Sequence, residues 1–264
     1  MQVFNSDLND RSGYQRMNRY LPIIATSVRY FILCWLLNAC YAFGEELIQV
    51  PITAYHNKPP YMIDIEAEQG LYFDFVRLLN EKSHVYHFTL TFIPRNRVRN
   101  MVIAENFGGI VLGVSPLWFD DVAQTKYLWS SAVFHDEDIF VSLNKNPFEF
   151  LDASSLVGKQ ICLVLGNYYS GVSDQEKQLA LTLLHTSREI TIFDLLDKKR
   201  CELGIVSRST YRYFLDHENI LNQYHVSKAL HDQFERRVLL AKVQQPVLQF
   251  IEQVLKDWPV GEAQ

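Results

Sequence analysis

An arginine triplet, Arg95, Arg97 and Arg99, follows a β-branched, aromatic run that ends at Pro94. A guanidinium held there can grip a carboxylate through two parallel hydrogen bonds. At most one of the three points inward; the others read as surface arginines paired with Asp or Glu. Tyr55 and Tyr61 flank Pro59-Pro60, a loop stiffened in φ that holds aromatic rings with little entropy left to lose. Each Tyr is either a wall of a ligand cleft or a cover for the core. Ser115 and Trp118 follow a short apolar run and offer a hydroxyl and a stacking face, or else lobe packing. Gly166, Tyr168 and Ser170 lie in a Gly-bounded loop before residues 173–184, read as a helix from Leu179, Leu183 and Leu184. Free N–H groups at such a helix start hold an anion; the alternative is a tight Gly turn with a packed Tyr. His135-Asp136-Glu137-Asp138 has the composition of a metal site. Four adjacent residues rarely wrap one ion without a Gly-turn loop, so it reads as a solvated turn. No nucleophile elbow, phosphate-cradling loop or dinucleotide fingerprint occurs. His84 and His87, three apart on a strand, face opposite ways. No catalytic residue, metal or cofactor is assigned.

The elements that must position these groups are legible from Gly70 to Ser115. Leu71, Phe75, Leu78 and Leu79 form one apolar stripe of an amphipathic helix, and Asp74 suits its N-terminal dipole. Val85–Ile93 is strand-like. Residues 97–105 return to helix, and Ile110–Val114 reads as a strand buried on both faces. Before this stretch, 47–54 reads as the first strand, with Pro51 marking an edge or an irregularity. After it, 128–143 contains a strand, 160–165 another, 189–193 a third and 203–206 a fourth. Residues 194–199 read as a helix, as does the segment that starts at Pro246 and ends before Pro259. Strands alternating with helices mean βαβ units and parallel sheets, whose ligands gather at the carboxyl ends of the strands. Those ends are where the aromatic, arginine and hydroxyl clusters fall.

Pro59-Pro60-Tyr61, Gly70-Leu71-Tyr72-Phe73-Asp74, Pro94-Arg95-Asn96-Arg97 and Gly108-Gly109-Ile110-Val111-Leu112-Gly113 occur in this order. Together they resemble the first lobe of an extracellular solute-binding protein of family 3. The likeness runs from about Leu47 to the C-terminal helix. It implies an α/β, two-lobed periplasmic-binding-protein type II fold, each lobe a mostly parallel sheet flanked by helices, with two hinge crossings. Residues 43–135 and 225–264 would form lobe 1, and 136–224 lobe 2. The family resemblance selects Arg97 as the clamp, Ser115 as a ligand hydroxyl, Trp129 as part of the cleft floor and Ser207 as the end of a lobe-2 strand. Two departures qualify an amino-acid ligand. The arginine expected a few residues after Ser115 is replaced by Phe119, Asp120 and Asp121, and Ser207-Arg208 stands where an Asp is usual. The implied activity is capture of a small polar solute, amino-acid-like or another small carboxylate or amine, for a membrane permease of an ABC-type transporter. A sensor or accessory module without transport is the alternative, and an enzyme on the same scaffold a third. The implied state is a monomer that does not bind nucleic acid.

With 48% hydrophobic and 13% aromatic residues, 264 residues suffice for two packed lobes; 25 basic against 30 acidic residues with no basic block disfavour nucleic acid. Arg16, Arg19 and Arg29 precede the apolar run Tyr30–Leu37, too short to span a bilayer and of signal-peptide length. Residues 1–42 therefore read as a signal peptide cleaved before Phe43, which makes the protein periplasmic. Leu37-Asn38-Ala39-Cys40 alternatively reads as a lipobox anchoring the chain through Cys40, or the run stays uncleaved. Cys162 and Cys201 fall near the starts of two strands that this topology can place side by side. In an exported protein they are either a disulfide or two buried thiols.

Overall fold

The computed structural model describes residues 46–104, 106–217 and 223–259; the signal-peptide and lipobox readings lie outside the described residues. β1 (Ile48–Ala54), β2 (Tyr86–Phe92) and β3 (Ile110–Val114) pair in parallel in the order β2-β1-β3. Between them run α1 (Leu71–Lys82) and α2 (Arg95–Ile103). All five β3 residues are buried, as a parallel strand covered on both faces requires. α1 buries Tyr72, Phe73, Phe75, Val76 and Leu79, so its inward stripe is wider than the leucine pattern alone indicates. Pro51 lies in β1 just before the first residue that pairs with β3, Ile52. It therefore withholds no N–H from that ladder.

A second sheet repeats the plan. β6 (Gln160–Val164), β7 (Thr182–Thr186) and β8 (Leu203–Ser207) are parallel in the order β8-β6-β7, with α3 (Ile190–Asp197) connecting β7 to β8 and α4 (Arg208–His217) following β8. Two strands join the halves. β5 (Phe134–Leu143) runs antiparallel to β8, and β9 (Tyr224–Leu240) lies along β5 over most of its length. The last turns of β9 leave β5 and pair with β3 and the short β4 (Leu128–Trp129). α5 (Gln245–Leu255) then docks on the first half through Val247, Ile251, Val254 and Leu255.

Three local readings are corrected. Residues 170–180 are turns and β7 follows; no helix spans 173–184. Leu183 and Leu184 join cores on opposite faces of the second sheet, which is strand alternation rather than a helical stripe. Residues 190–193 are helical, not a strand, because a parallel β7–β8 connection needs a crossover element there, and Ile192, Phe193 and Leu196 bury on one side. The acidic run 135–138 is not a solvated turn but the start of β5, where alternation sends Asp136 inward and leaves His135 exposed. Cys162 and Cys201 are joined in a disulfide that ties β6 to the segment before β8.

Candidate functional site

The loop after β1 faces the second half of the molecule. Tyr55 and His56 are each 8% exposed, their rings 4.1 Å apart, with Trp118 tilted 5.5 Å beyond His56 and Phe234 edge-on 5.0 Å beyond Trp118. Arg95, first residue of α2, lies over the Tyr55 ring at 5.6 Å and donates to Asn167 Oδ1 across the cleft at 3.1 Å. Lys58 reaches further. Its Nζ donates to Glu189 Oε1 at 2.5 Å and to the Ser207 hydroxyl. Ser207 in turn donates through Oγ and N to Glu189 Oε2, at 3.0 and 3.3 Å. Thr210 Oγ1 donates to the Pro59 carbonyl at 2.7 Å. Bonds from four segments of the second half thus meet one loop and one helix end of the first.

Beneath these contacts is an ionic floor. Arg236 of β9 is 1% exposed and donates through Nε and Nη2 to Asp136 Oδ2 of β5, and through Nη1 to the Gly113 carbonyl. Tyr61 Oη and Ser209 Oγ donate to the same Asp136 oxygen at 2.7 and 3.0 Å. The guanidinium lies 4.4 Å over the Tyr61 ring. Burial alone would raise the Asp136 carboxyl, but the Arg236 guanidinium, with Lys58 and the Tyr61 hydrogen bond, holds it below the ordinary carboxylate range. Gly113 makes the floor possible. Its φ is +80°, and a Cβ there would fall 1.9 Å from Tyr72 Oη.

Asp138, two residues along β5, lines the cleft beside these groups. Burial, with Glu189 and Asp136 nearby, pushes its carboxyl up to about 7 despite Lys58 and Arg236. His56 is held well below the usual imidazole range, by burial first and then by Arg236, Lys58 and Arg95, so its ring is neutral. The Tyr55 hydroxyl and His56 Nδ1 are buried without a hydrogen-bond partner.

Of the residues expected from sequence, Tyr55, Trp118 and Tyr168 line the cleft, and Ser207 joins it through Lys58 and Glu189. Others fall elsewhere. Arg97 is exposed and does not line the cleft, because the inward position of the triplet belongs to Arg95 at the helix start. Tyr61 is fully buried in the floor network. Ser115 is buried and begins the 3-10 turn Pro116–Phe119. Trp129 does not line the cleft; it is buried in the core cluster shared with Val98, Val111 and Phe119, donating to Asp121 Oδ2 at 2.8 Å. Gly166 takes φ +81° in the turn that presents Asn167, and Ser170 offers its carbonyl to His231. Sequence reading missed His56, Lys58, Asp138, Asn167, Glu189, Phe234 and Arg236. For Asp138 the signal was available, since period-two alternation through 134–143 pairs it with Asp136 on one face. Among the described residues no His/Cys/Asp/Glu group could hold a metal ion.

No family model and no curated protein sequence matches the chain. Solved structures do match. The ligand-binding core of GluR0, in complex with L-glutamate, aligns with a TM-score of 0.63 at 16% identity, covering 81% of this chain and 92% of that one. A mutant of ArgBP from T. maritima aligns at 0.62 and 14%, covering 79% and 88%. A periplasmic binding protein of Salmonella typhimurium, described as highly arginine-specific, aligns at 0.60 and 14%, covering 80% and 92%. The chain therefore adopts the two-lobed periplasmic-binding-protein type II fold, with β5 and β9 as the two crossings between lobes.

Proposed function

We propose that this protein is an exported receptor that captures a small polar solute between its lobes without changing it chemically. Lobe 1 comprises residues 43–135 and 225–264 and lobe 2 residues 136–224, with β9 shared along its length. The observation that carries the reading is the meeting of oppositely charged groups across the cleft, Lys58 and Arg95 from lobe 1 with Glu189 from lobe 2, and the Asp138 carboxyl beside them. Such a cleft recognises a small ionised or zwitterionic compound, with Tyr55, Trp118 and Tyr168 as walls and Ser207 as a hydroxyl contact. In this reading Arg95 and Lys58 replace the missing family arginine, and Glu189 the missing Asp. Closure would present the loaded form to a membrane permease of an ABC-type transporter. A sensor protein is the second partner class, kept by the two departures from the amino-acid signature at 119–121 and at Ser207-Arg208. The expected outcome of a thermal-shift screen of amino acids, organic acids, polyamines and small peptides is one solute class that raises the melting temperature and compacts the small-angle scattering curve. Scattering and melting that ignore the whole library would overturn the reading.

A further inference from the structure

The cleft has two unequal compartments. Beside Asp138 and Arg236 the space is about 20 Å³, roughly what one water occupies. The adjoining chamber, toward Arg95 and Arg188, is about 230 Å³, slightly below the roughly 300 Å³ at which small-molecule pockets begin. Glu189 lines both, and so do Tyr55, His56, Lys58 and Arg95. Asp138 lines only the narrow one.

Both oxygens of Glu189 are already engaged. Oε1 accepts from Lys58 Nζ, and Oε2 accepts from the Ser207 hydroxyl and backbone N–H. Lys58 Nζ also donates to the Ser207 hydroxyl. A primary ammonium bound by a carboxylate and a hydroxyl is the coordination an amino-acid ligand's amine would need, and the protein's own lysine provides it. A ligand ammonium in that seat would have to expel Lys58 and leave a second cation nearby. The other buried ion pair, Arg236 with Asp136, is likewise closed on itself. What remains open is positive. Among the described residues no carboxylate pairs with Arg95, which has only the Asn167 amide and the Tyr55 ring as polar and cation–π partners. Arg188, also on the chamber wall, is exposed. Two buried polar groups on the same wall, Tyr55 Oη and His56 Nδ1, have no partner. The depressed basicity of His56, caused after burial by three cations around it, reports the same positive field. Phe92, Pro94, Val164 and Leu165 complete the chamber and suit a short hydrocarbon body.

We propose that the solute is a small organic acid without an ammonium group: its carboxylate lies between Lys58 and Arg95 in the wider chamber, while Lys58 itself occupies the ammonium seat on Glu189 and Ser207. This rests on the reading of the cleft as the solute site. The test is calorimetric titration of the purified protein with short-chain mono- and dicarboxylic acids, the α-amino acids of the same skeletons and the matched amines. One or more acids should bind, and the amino acid of the same skeleton should bind at least about tenfold more weakly. Arg95→Gln should lose the acid while its unliganded melting temperature stays within a degree or two of wild type. Lys58→Met, which frees Glu189 and Ser207, should weaken the acid and improve the matched amine or amino acid. Tighter binding of amino acids than acids by the wild type, or unchanged selectivity in Lys58→Met, would overturn the inference and leave solute binding standing. Silence from every compound would overturn the inference, and silence from the wider library of polyamines and small peptides as well would sink both.

Discussion

Replacing Asp138 with Asn removes a charge that its surroundings disfavour. Burial, then Glu189 and Asp136, raise its carboxyl from 3.8 to about 7, against the pull of Lys58 and Arg236. A carboxyl whose folded pKa lies above its unfolded value binds more protons in the native state. Its favourable contribution is complete below about pH 4 and is lost as pH rises toward 7. At pH 8 both states are ionised and the full penalty applies. Three pH units at about 1.4 kcal/mol each set a ceiling of about 4 kcal/mol. Because the residue keeps some access to the cleft mouth, solvent relaxation should roughly halve that, to about 2 kcal/mol. Asn keeps the shape and discards the charge. For a folded unit of this size about 2 kcal/mol corresponds to roughly 4–8 °C. Asp138→Asn should therefore melt several degrees above wild type at pH 8 and level with it at pH 4, followed by circular dichroism in matched ionic strength. A lower melting temperature at pH 8 would show that the Asp138 carboxylate is usefully paired, an equal shift at both values would show that its ionisation is not what the substitution relieves, and either would refute the reasoning.

Two further outcomes follow from the same contacts. Reducing Cys162–Cys201 opens a loop with a sequence separation of 39; the chain-entropy relation gives about 4 kcal/mol, so dithiothreitol should lower the melting temperature by roughly 8–16 °C, and an unmoved transition would show that the bridge carries no stability. Asp136→Ala leaves Arg236 buried without its carboxylate and should cost about 3–5 kcal/mol at pH 7. Because Asp136 titrates below its ordinary value, that contribution is present above pH 4 and lost as the pH falls through the depressed pKa, so wild type and variant should converge in acid denaturation; a constant difference down to pH 2 would count against it.

The alternation of strand and helix was readable because it is local. Ile110–Val114 is apolar throughout, and a strand covered on both faces has no other pattern. Two of the three misread segments fail for one reason. Leu179, Leu183 and Leu184 fit a helical stripe as well as a strand, and Ile190-Thr191-Ile192 is β-branched enough to pass for a strand. Only pairing with β6 and the crossover to β8 decide between them, and both are long-range. The candidate site was half legible. Aromatic rings beside Pro59-Pro60 and an arginine after Pro94 announce a cleft, but which arginine enters it depends on the phase of α2, where position 95 faces lobe 2 and position 97 faces solvent. Lys58 and Glu189 are 131 residues apart, and nothing local in either segment marks the other.

The contacts also divide by what a hinge motion would break. Arg236 and Asp136 sit on adjacent strands, β9 and β5, which pair at Phe134 with Arg236 and at Asp136 with Phe234. They therefore travel together whichever lobe moves. Tyr61 is fixed on the same floor, and the backbone of α1 holds its loop through Leu71 N to Pro60 O and Tyr72 N to Tyr61 O. Lys58 and Arg95, by contrast, meet Glu189, Ser207 and Asn167 only across the gap. Separation of the lobes breaks those bonds and the one from Thr210 to Pro59, and wets a lysine, an arginine and a glutamate that water solvates well. Closure by these groups alone is therefore close to balanced, as ion pairs with solvent access generally are. An anion between Arg95 and Lys58 makes charge-assisted bonds to lobe 1 in either arrangement; what closure adds is the lobe-2 wall of the chamber, with the Arg188 guanidinium and the side chains of Val164 and Leu165. That differential is what a two-lobed receptor needs, because a ligand shifts the equilibrium only by the difference in its affinity for the two states.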